Sequence, residues 1–180
     1  MRKHNGMRPQ DVVILLKIVI LGDTPWRYSD IAQSLHISQS EVAEALNRSK
    51  QARLVDSSKK RVFRASFIEF LTYGLKYVFP AQPGALVRGI PTAHSARPLS
   101  EMLVSDRDAF VWPSAVGNVR GQAIIPLYPS IIKAIRKDPQ LYEMLALLDA
   151  VRIGHAREQK IAIEELSKRI RENAYAEQKH

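Results

Sequence analysis

The pattern of apolar and polar positions along the 180-residue chain predicts mostly helix. The first helical stretch begins near Pro9, a residue that suits the first turn of a helix, and Gly22-Asp23 ends it. Its apolar residues cover most sides of the predicted helix, so we expect this helix to be central. They are Val12, Val13, Leu15, Leu16, Val19 and Ile20.

Two shorter helices joined by a tight turn are predicted between Ser29 and Val55. Ser29 is expected to cap the first helix, and His36-Ile37 to form the turn with Ile37 buried. The sequence Ser38-Gln39-Ser40-Glu41 is a capping box that opens the second helix. The inward-facing positions are Ile31, Ala32 and Leu35 in the first helix and Val42, Ala45, Leu46 and Ser49 in the second.

The outward face of the second predicted helix is made mostly of small and amide side chains. Amides bond adenine bidentately, and small residues allow close approach of a backbone, so this composition suits a helix that reads a DNA groove. The residues of this face are Gln39, Ser40, Ala43, Glu44, Asn47, Lys50 and Gln51.

A hairpin is predicted directly after this helix. Residues 53–56 leave as a strand, 57–60 make a turn, and 61–64 return. The turn ends in three consecutive cations, Lys59, Lys60 and Arg61, which are placed where a hairpin could meet phosphate. Trp26 and Tyr28 alternate around Arg27 and could add a third small strand, with Trp26 as a structural anchor.

From Ser38 to Arg61 the chain resembles the winged helix-turn-helix of MarR-like transcriptional regulators, in a likeness that covers about residues 8–79. The Ser-Gln-Ser helix start, the Leu54-Val55 exit and the charged hairpin carry it. The resemblance implies that Ser38, Gln39, Ser40, Ala43 and Asn47 approach DNA bases, and that Lys50, Lys59, Lys60 and Arg61 lie on phosphates.

The chain departs from that family at two points. Glu44 stands where many such helices carry a basic or small residue, and it would either read a cytosine amino group or repel phosphate. The segment beyond Pro80 is not a simple closing helix, so the family's dimer geometry and ligand pocket cannot be transferred.

The remaining chain is predicted as one further helix, an irregular stretch and a helical end. Ser66-Phe67-Ile68-Glu69 is a second capping box, expected to open a helix that runs to about Phe79 and could supply a dimer contact. Residues 80–128 contain many Pro, Gly, Ala and Ser residues and predict an extended arm with a short hairpin rather than a full sheet. Asp138-Pro139 begins a long helical region that Gly154 interrupts.

Charge and composition narrow the classes of function. The net charge is +9, and residues 1–64 hold twelve Lys or Arg against six Asp or Glu, so most of the excess coincides with the predicted DNA-facing unit. The chain has no cysteine, no apolar run long enough to span a bilayer and no small-residue cleavage site after its basic start. We therefore expect a cytoplasmic protein without a signal peptide.

The expected fold is mainly α with a small β-wing, in three parts: a winged helix-turn-helix at 8–79, an extended linker or arm at 80–128, and a C-terminal helical region at 129–172. The expected function is a sequence-specific double-stranded DNA-binding regulator that forms a homodimer. The alternative is an interaction module or antitoxin-like regulator whose C-terminal helices dock an acidic partner enzyme, through an edge around residues 151–158. Catalytic loop motifs are absent and the five histidines are scattered, His94 among them, so we expect no enzyme, cofactor or metal site.

Overall fold

The computed structural model describes residues 6–175, and it is a mixed α/β structure in which helix predominates. The first five residues, which bear on the signal-peptide expectation, and the end of the polar tail lie outside the described residues. The helices are α1 (Pro9–Leu21), α2 (Tyr28–Leu35), α3 (Gln39–Gln51), α4 (Arg64–Tyr73), α5 (Leu75–Val78), α6 (Leu99–Met102), α7 (Ile131–Ala134), α8 (Pro139–Ile153) and α9 (Ala156–Tyr175). The strands are β1 (Leu86–Thr92), β2 (Phe110–Pro113) and β3 (Val119–Ala123).

Helix α1 is central, as its apolar surface predicted. It contacts α2, α3, α8 and α9, and its residues 10–16 are all buried. A helix that is apolar on most sides can bury that surface from water only when other elements pack around it. The core therefore runs from α1 into both halves of the chain.

Two helices, α2 and α3, are separated by a short turn at residues 36–38, in which Ile37 is half-buried. His36 adopts a left-handed conformation with φ 54°, and Ile37 packs against the core. The predicted cap of α2 is wrong: the helix begins at Tyr28, and the Asp30 carboxylate accepts from the Arg27 N–H at 2.8 Å. The carboxylate at the third helical position satisfies a backbone donor just outside the helix, which moves the start ahead of Ser29.

The hairpin after α3 is smaller than predicted. Val55 and Val62 form an isolated bridge, and the Phe63 N–H donates to the Leu54 carbonyl at 2.8 Å. Residues 24–27 form no strand beside it, contrary to the prediction for this segment. We call residues 54–63 the wing, for its position beside α3.

Helix α4 also starts before its predicted cap. Its first residue is Arg64, so Ser66 lies inside the first turn and its side chain makes no cap. The helix breaks at Gly74, and the short α5 follows. The predicted single helix to Phe79 is therefore two.

The middle segment folds into a small closed sheet instead of the short irregular hairpin or extended arm that we expected. Strand β1 runs antiparallel to both others, pairing through Leu86–Gly89 with β3 and through Gly89–Thr92 with β2. Strands β2 and β3 are parallel to each other, which closes the ring. Pro113 is the last residue of β2, a position that suits a residue without a backbone donor, and the next residue, Ser114, donates its N–H to the Arg88 carbonyl at 3.2 Å.

Glycines allow this ring to close. A Cβ on Gly89 would stand 2.1 Å from the Trp112 carbonyl oxygen, and a Cβ on Gly121 would stand 2.4 Å from the Ala109 oxygen. Both distances lie far inside van der Waals contact, so any side chain there would force the strands apart. The sequence predicts turns at the glycines of this segment. Gly89 and Gly121 instead lie in strands, where they allow neighbouring backbones to approach closely.

The C-terminal helices follow the sequence prediction. The Asp138 carboxylate caps α8 by accepting from the Leu141 N–H at 3.0 Å, and α8 ends at Ile153 before Gly154. Helix α9 packs against α8, α4 and α1. Within residues 6–175, no helix is both long enough and apolar enough to cross a bilayer.

Candidate nucleic-acid interface

The outer face of α3 is exposed over its whole length. Gln39, Ser40, Glu44, Asn47 and Lys50 are exposed, and Ala43 is half-buried among them. These six residues and Ser38 belong to the set predicted from the sequence, and the structure brings them together on one surface. We call this surface the outer face of α3.

The start of α3 is fixed by its capping box. The Ser38 hydroxyl accepts from the Glu41 N–H at 3.1 Å, and the Glu41 carboxylate accepts from the Ser38 N–H at 3.0 Å. The Tyr128 hydroxyl donates to the same carboxylate at 3.3 Å. The backbone hydrogen bond from Ser38 lowers the pKa of Glu41, despite an opposing effect of burial. Ser38 thus serves the helix start, and nothing in the sequence signalled Tyr128.

Directly behind the outer face, a buried ion pair fastens α3 to α1. The Arg48 guanidinium donates to both carboxylate oxygens of Asp11, at 2.8 and 2.7 Å, and Asp11 is fully buried. The same carboxylate accepts from the Arg8 N–H at 2.9 Å, so it also caps α1. This bidentate geometry fixes both the position and the rotation of α3.

Glu44, the departure from the family pattern, lies beside this pair. Its carboxylate is 3.7 Å from the Arg48 guanidinium, while its side chain remains 59% exposed. The nearby cation offsets part of its negative charge. The sequence analysis missed Arg48 because its partner Asp11 lies 37 residues away.

The wing reaches α3 through one of its predicted phosphate contacts. The Lys59 ammonium donates to the side-chain oxygen of Asn47, so a predicted base-facing residue and a predicted phosphate-facing residue form a pair. An Asn that bonds adenine bidentately uses this same oxygen. The Asn47 oxygen has a second lone pair, so it can accept one further hydrogen bond while Lys59 is bound to it.

Lys60 is held on the aromatic pair in front of α2. Its ammonium lies 3.8 Å from the centre of the Trp26 ring and donates to the Trp26 carbonyl at 2.9 Å. Trp26 and Tyr28 stack with their ring centres 6.1 Å apart. Trp26 is an anchor for the wing, as predicted, through a side chain rather than through strand pairing.

The turn of the wing is organised by one carboxylate. Asp56 accepts from the N–H groups of Lys60 and Arg61 at 3.0 and 3.1 Å and from the Ser58 hydroxyl at 2.6 Å. Burial raises the pKa of Asp56, but these hydrogen bonds outweigh it and leave the pKa lowered. The wing thus presents Lys59, Lys60 and Arg61 from a fixed turn.

A second polar cluster lies deep in the other half of the chain. Asp149 is 1% exposed and accepts from the Thr92 hydroxyl, the Trp112 indole N–H and Arg152 at 2.8, 2.6 and 2.8 Å. Arg152 also donates to the Phe79 carbonyl at 2.8 Å. Burial raises the pKa of Asp149. Through the bonds to Thr92 and Trp112, this buried cluster ties α8 to the sheet.

His94 is buried beside this half of the chain, where the sequence predicted an ordinary loop histidine. Its ring lies 4.8 Å from the Phe110 ring, and neither ring nitrogen has a hydrogen-bond partner. Burial lowers the pKa of His94. No group of three His, Asp or Glu side chains able to hold a metal occurs between residues 6 and 175.

Comparison of the chain with protein-family models, with curated proteins and with solved structures found no match.

Proposed function

We propose that this protein is a sequence-specific double-stranded DNA-binding transcriptional regulator with a winged helix-turn-helix, in which α2 and α3 are the helix pair. Helix α3 enters the major groove, and the wing lies on the phosphate backbone. The proposal places the protein in the cytoplasm as a homodimer and includes no catalytic step.

The observation that supports the proposal most strongly is the shared surface of α3 and the wing. The side chains of Gln39, Ser40 and Asn47 are exposed, and the wing cation Lys59 reaches Asn47. Arg48, on the opposite side of α3, is bound to Asp11 in the interior and so does not form part of this surface. Polar readers flanked by cations are the combination that base and phosphate contacts require.

The side chains on the outer face of α3 predict which bases the bound DNA site contains. Gln39 and Asn47 suit adenine, while Glu44 can accept from a cytosine amino group. Ala43 brings the α3 backbone close to the groove. We therefore expect a site with one adenine contact at the start of α3 and, further along the helix, a cytosine contact for Glu44 beside an adenine contact for Asn47.

Selection of bound fragments from genomic DNA tests this function. The full chain is mixed with sheared DNA at about 0.15 M salt, and retained fragments are sequenced; the proposal predicts enrichment of a few related sites. A parallel selection with Gln39→Ala plus Asn47→Ala should lose that enrichment. Uniform recovery of all fragments by both proteins would contradict a sequence-specific regulator.

Exposed aromatic residues on α4 and α5 support the proposed homodimer. Tyr73 and Tyr77 are 72% and 73% exposed, and Val78 is 51% exposed. Large apolar surfaces of this kind are typical of interaction sites. Sedimentation at micromolar concentration should give a dimer, and Tyr73→Ser with Tyr77→Ser should give a monomer.

The alternative function, docking of an acidic partner enzyme by the C-terminal helices, has less support. Arg152, one of the cations of the predicted edge, is bound to Asp149, and Glu158 is buried in an ion pair with Arg107. Arg157 and Lys160 remain exposed on α9. Co-purification of an acidic protein that Arg157→Glu abolishes would favour this alternative.

A further inference from the structure

A basic groove of about 590 Å³ lies between α2 and the segment that follows the sheet. One wall is the C-terminal part of α2 and its turn, with Gln33, Ser34 and His36. The other wall is α7 and the 3-10 turn Ile135–Lys137. Its volume lies in the range of small-ligand sites, roughly 300 to 1,000 Å³.

Among the described residues that line the groove, three of the four Lys and Arg side chains are unpaired, and of the two carboxylates only Asp138 is in an ion pair. Lys133, Arg136 and Lys137 are exposed, and within residues 6–175 their side chains make no hydrogen bond or ion pair. The Asp138 carboxylate accepts from Lys17 at 2.7 Å and from the Leu141 N–H, and the Asp30 carboxylate accepts from the Arg27 N–H. Three neighbouring cations without counterions repel one another, and a bound anion would relieve that repulsion.

Two hydrogen bonds join the segment just before α7 to the end of α2 and to the start of α3. The Ser130 hydroxyl donates to the Leu35 carbonyl at 2.6 Å, and the Tyr128 hydroxyl donates to the Glu41 carboxylate. The segment that carries the three cations is thereby fixed against the turn that precedes α3. Any occupant of the groove lies beside that turn.

We propose that this groove binds a phosphate group through Lys133, Arg136 and Lys137. An Arg guanidinium presents paired N–H donors that match phosphate oxygens, and the two Lys ammonium groups add charge. The wall formed by α2 supplies the neutral side chains of Gln33 and Ser34 and one carboxylate, that of Asp30, so the four Lys and Arg residues of the groove outnumber its two acids. The phosphate belongs either to the backbone of bound DNA, in which case the inference rests on the proposed function, or to a free phosphorylated molecule.

Tripolyphosphate and a 20-base-pair duplex separate these two sources. The test variant is Lys133→Ala with Arg136→Ala and Lys137→Ala, and the control is Arg157→Ala with Lys160→Ala and Arg171→Ala, which removes the same charge from exposed positions of α9. Calorimetry measures tripolyphosphate binding, and anisotropy measures duplex binding between about 50 and 200 mM salt. Far-UV circular dichroism checks that both variants fold.

A free ligand predicts that the test variant binds tripolyphosphate at least about tenfold more weakly than the control, whether or not the wild-type protein binds DNA. A backbone phosphate predicts that the salt slope for the duplex falls by about 2 to 3 in the test variant alone. Either result supports the groove. Equal behaviour of the two variants toward both probes overturns it, while loss of duplex binding by the wild-type protein alone overturns only the proposed function.

Discussion

The inner and outer sides of α3 carry polar residues of opposite kinds. On the inner side, Arg48 is 8% exposed, and its guanidinium donates to the Asp11 carboxylate. On the outer side Gln39, Ser40 and Lys50 are exposed and contribute little to packing. Polar groups of the first kind hold the helix in place, and those of the second kind are available to a partner.

This difference separates stability from binding on a single helix. Substitutions inside should lower the free energy of unfolding, because they leave a buried charge without its partner. Substitutions outside should leave that free energy nearly unchanged and act on DNA affinity. Each of the following predictions tests one side of that division.

Arg48→Ala should have the largest effect. It leaves the Asp11 carboxylate buried and unpaired, so we expect a loss of about 3 to 5 kcal/mol in the free energy of unfolding, measured by urea denaturation. Lys50→Ala, two residues along the same helix, is the control and should change it by under about 0.5 kcal/mol. Similar losses for both would erase the distinction between the two sides.

Asp149→Asn tests whether a second buried ion pair, that of Asp149 with Arg152, also contributes to the free energy of unfolding. The variant keeps the shape of the side chain but leaves the Arg152 charge without its counterion, so we expect a loss of about 2 kcal/mol. Asp106→Asn, on an exposed loop, is the control. Unchanged denaturation of Asp149→Asn would show that the Asp149 cluster does not hold α8 to the sheet.

Lys59→Ala with Lys60→Ala tests the wing. Loss of the Lys60 contact with Trp26 should cost about 0.5 to 1 kcal/mol of stability. The salt slope for duplex DNA should fall by about 2, because two phosphate contacts are removed. The control, Lys160→Ala with Lys168→Ala, removes the same charge from α9. An equal fall in the salt slope of this control would show that the wing does not contact DNA.

His94 gives a pH-dependent effect in the interior. Burial lowers its folded-state pKa below the unfolded value near 6.5, although Glu158 opposes this, while Arg107 and His155 add to it. The unfolded chain therefore binds a proton first, so stability is full above about pH 6.5 and falls as the pH drops below it. His94→Phe should flatten this dependence between pH 7 and 5 in urea titrations, and an unchanged slope would assign it to other groups.

The start of α3 and the central position of α1 were predictable, the caps of α2 and α4 were predicted wrongly, and contacts between distant residues were not predictable. The capping box Ser38–Glu41 uses groups three residues apart, and the apolar surface of α1 is visible in its own sequence. The approach of β2 to β1 and β3 depends on Gly89 and Gly121, because a side chain at either position would meet the backbone of Trp112 or Ala109. The pattern of apolar and polar residues within 80–128 does not show which backbones come together.

The candidate site follows the same rule. The exposed residues of α3 could be predicted because helical spacing alone decides which of them face outward. The link from Asn47 to Lys59, the seat of Lys60 on Trp26 and the bond from Tyr128 to Glu41 join residues 12, 34 and 87 positions apart. Only the folded chain shows that a predicted base contact and a predicted phosphate contact share one hydrogen bond.

The most direct test of the proposed interface is the affinity of Gln39→Ala and Asn47→Ala for a duplex recovered by the genomic selection. Each variant should bind that duplex about 1 to 3 kcal/mol more weakly than wild type, with no change for a scrambled duplex and no loss of stability. Gln159→Ala, an amide on α9, should bind both duplexes as wild type does. Equal affinities of Gln39→Ala, Asn47→Ala and Gln159→Ala for the recovered duplex would contradict the placement of α3 in the major groove.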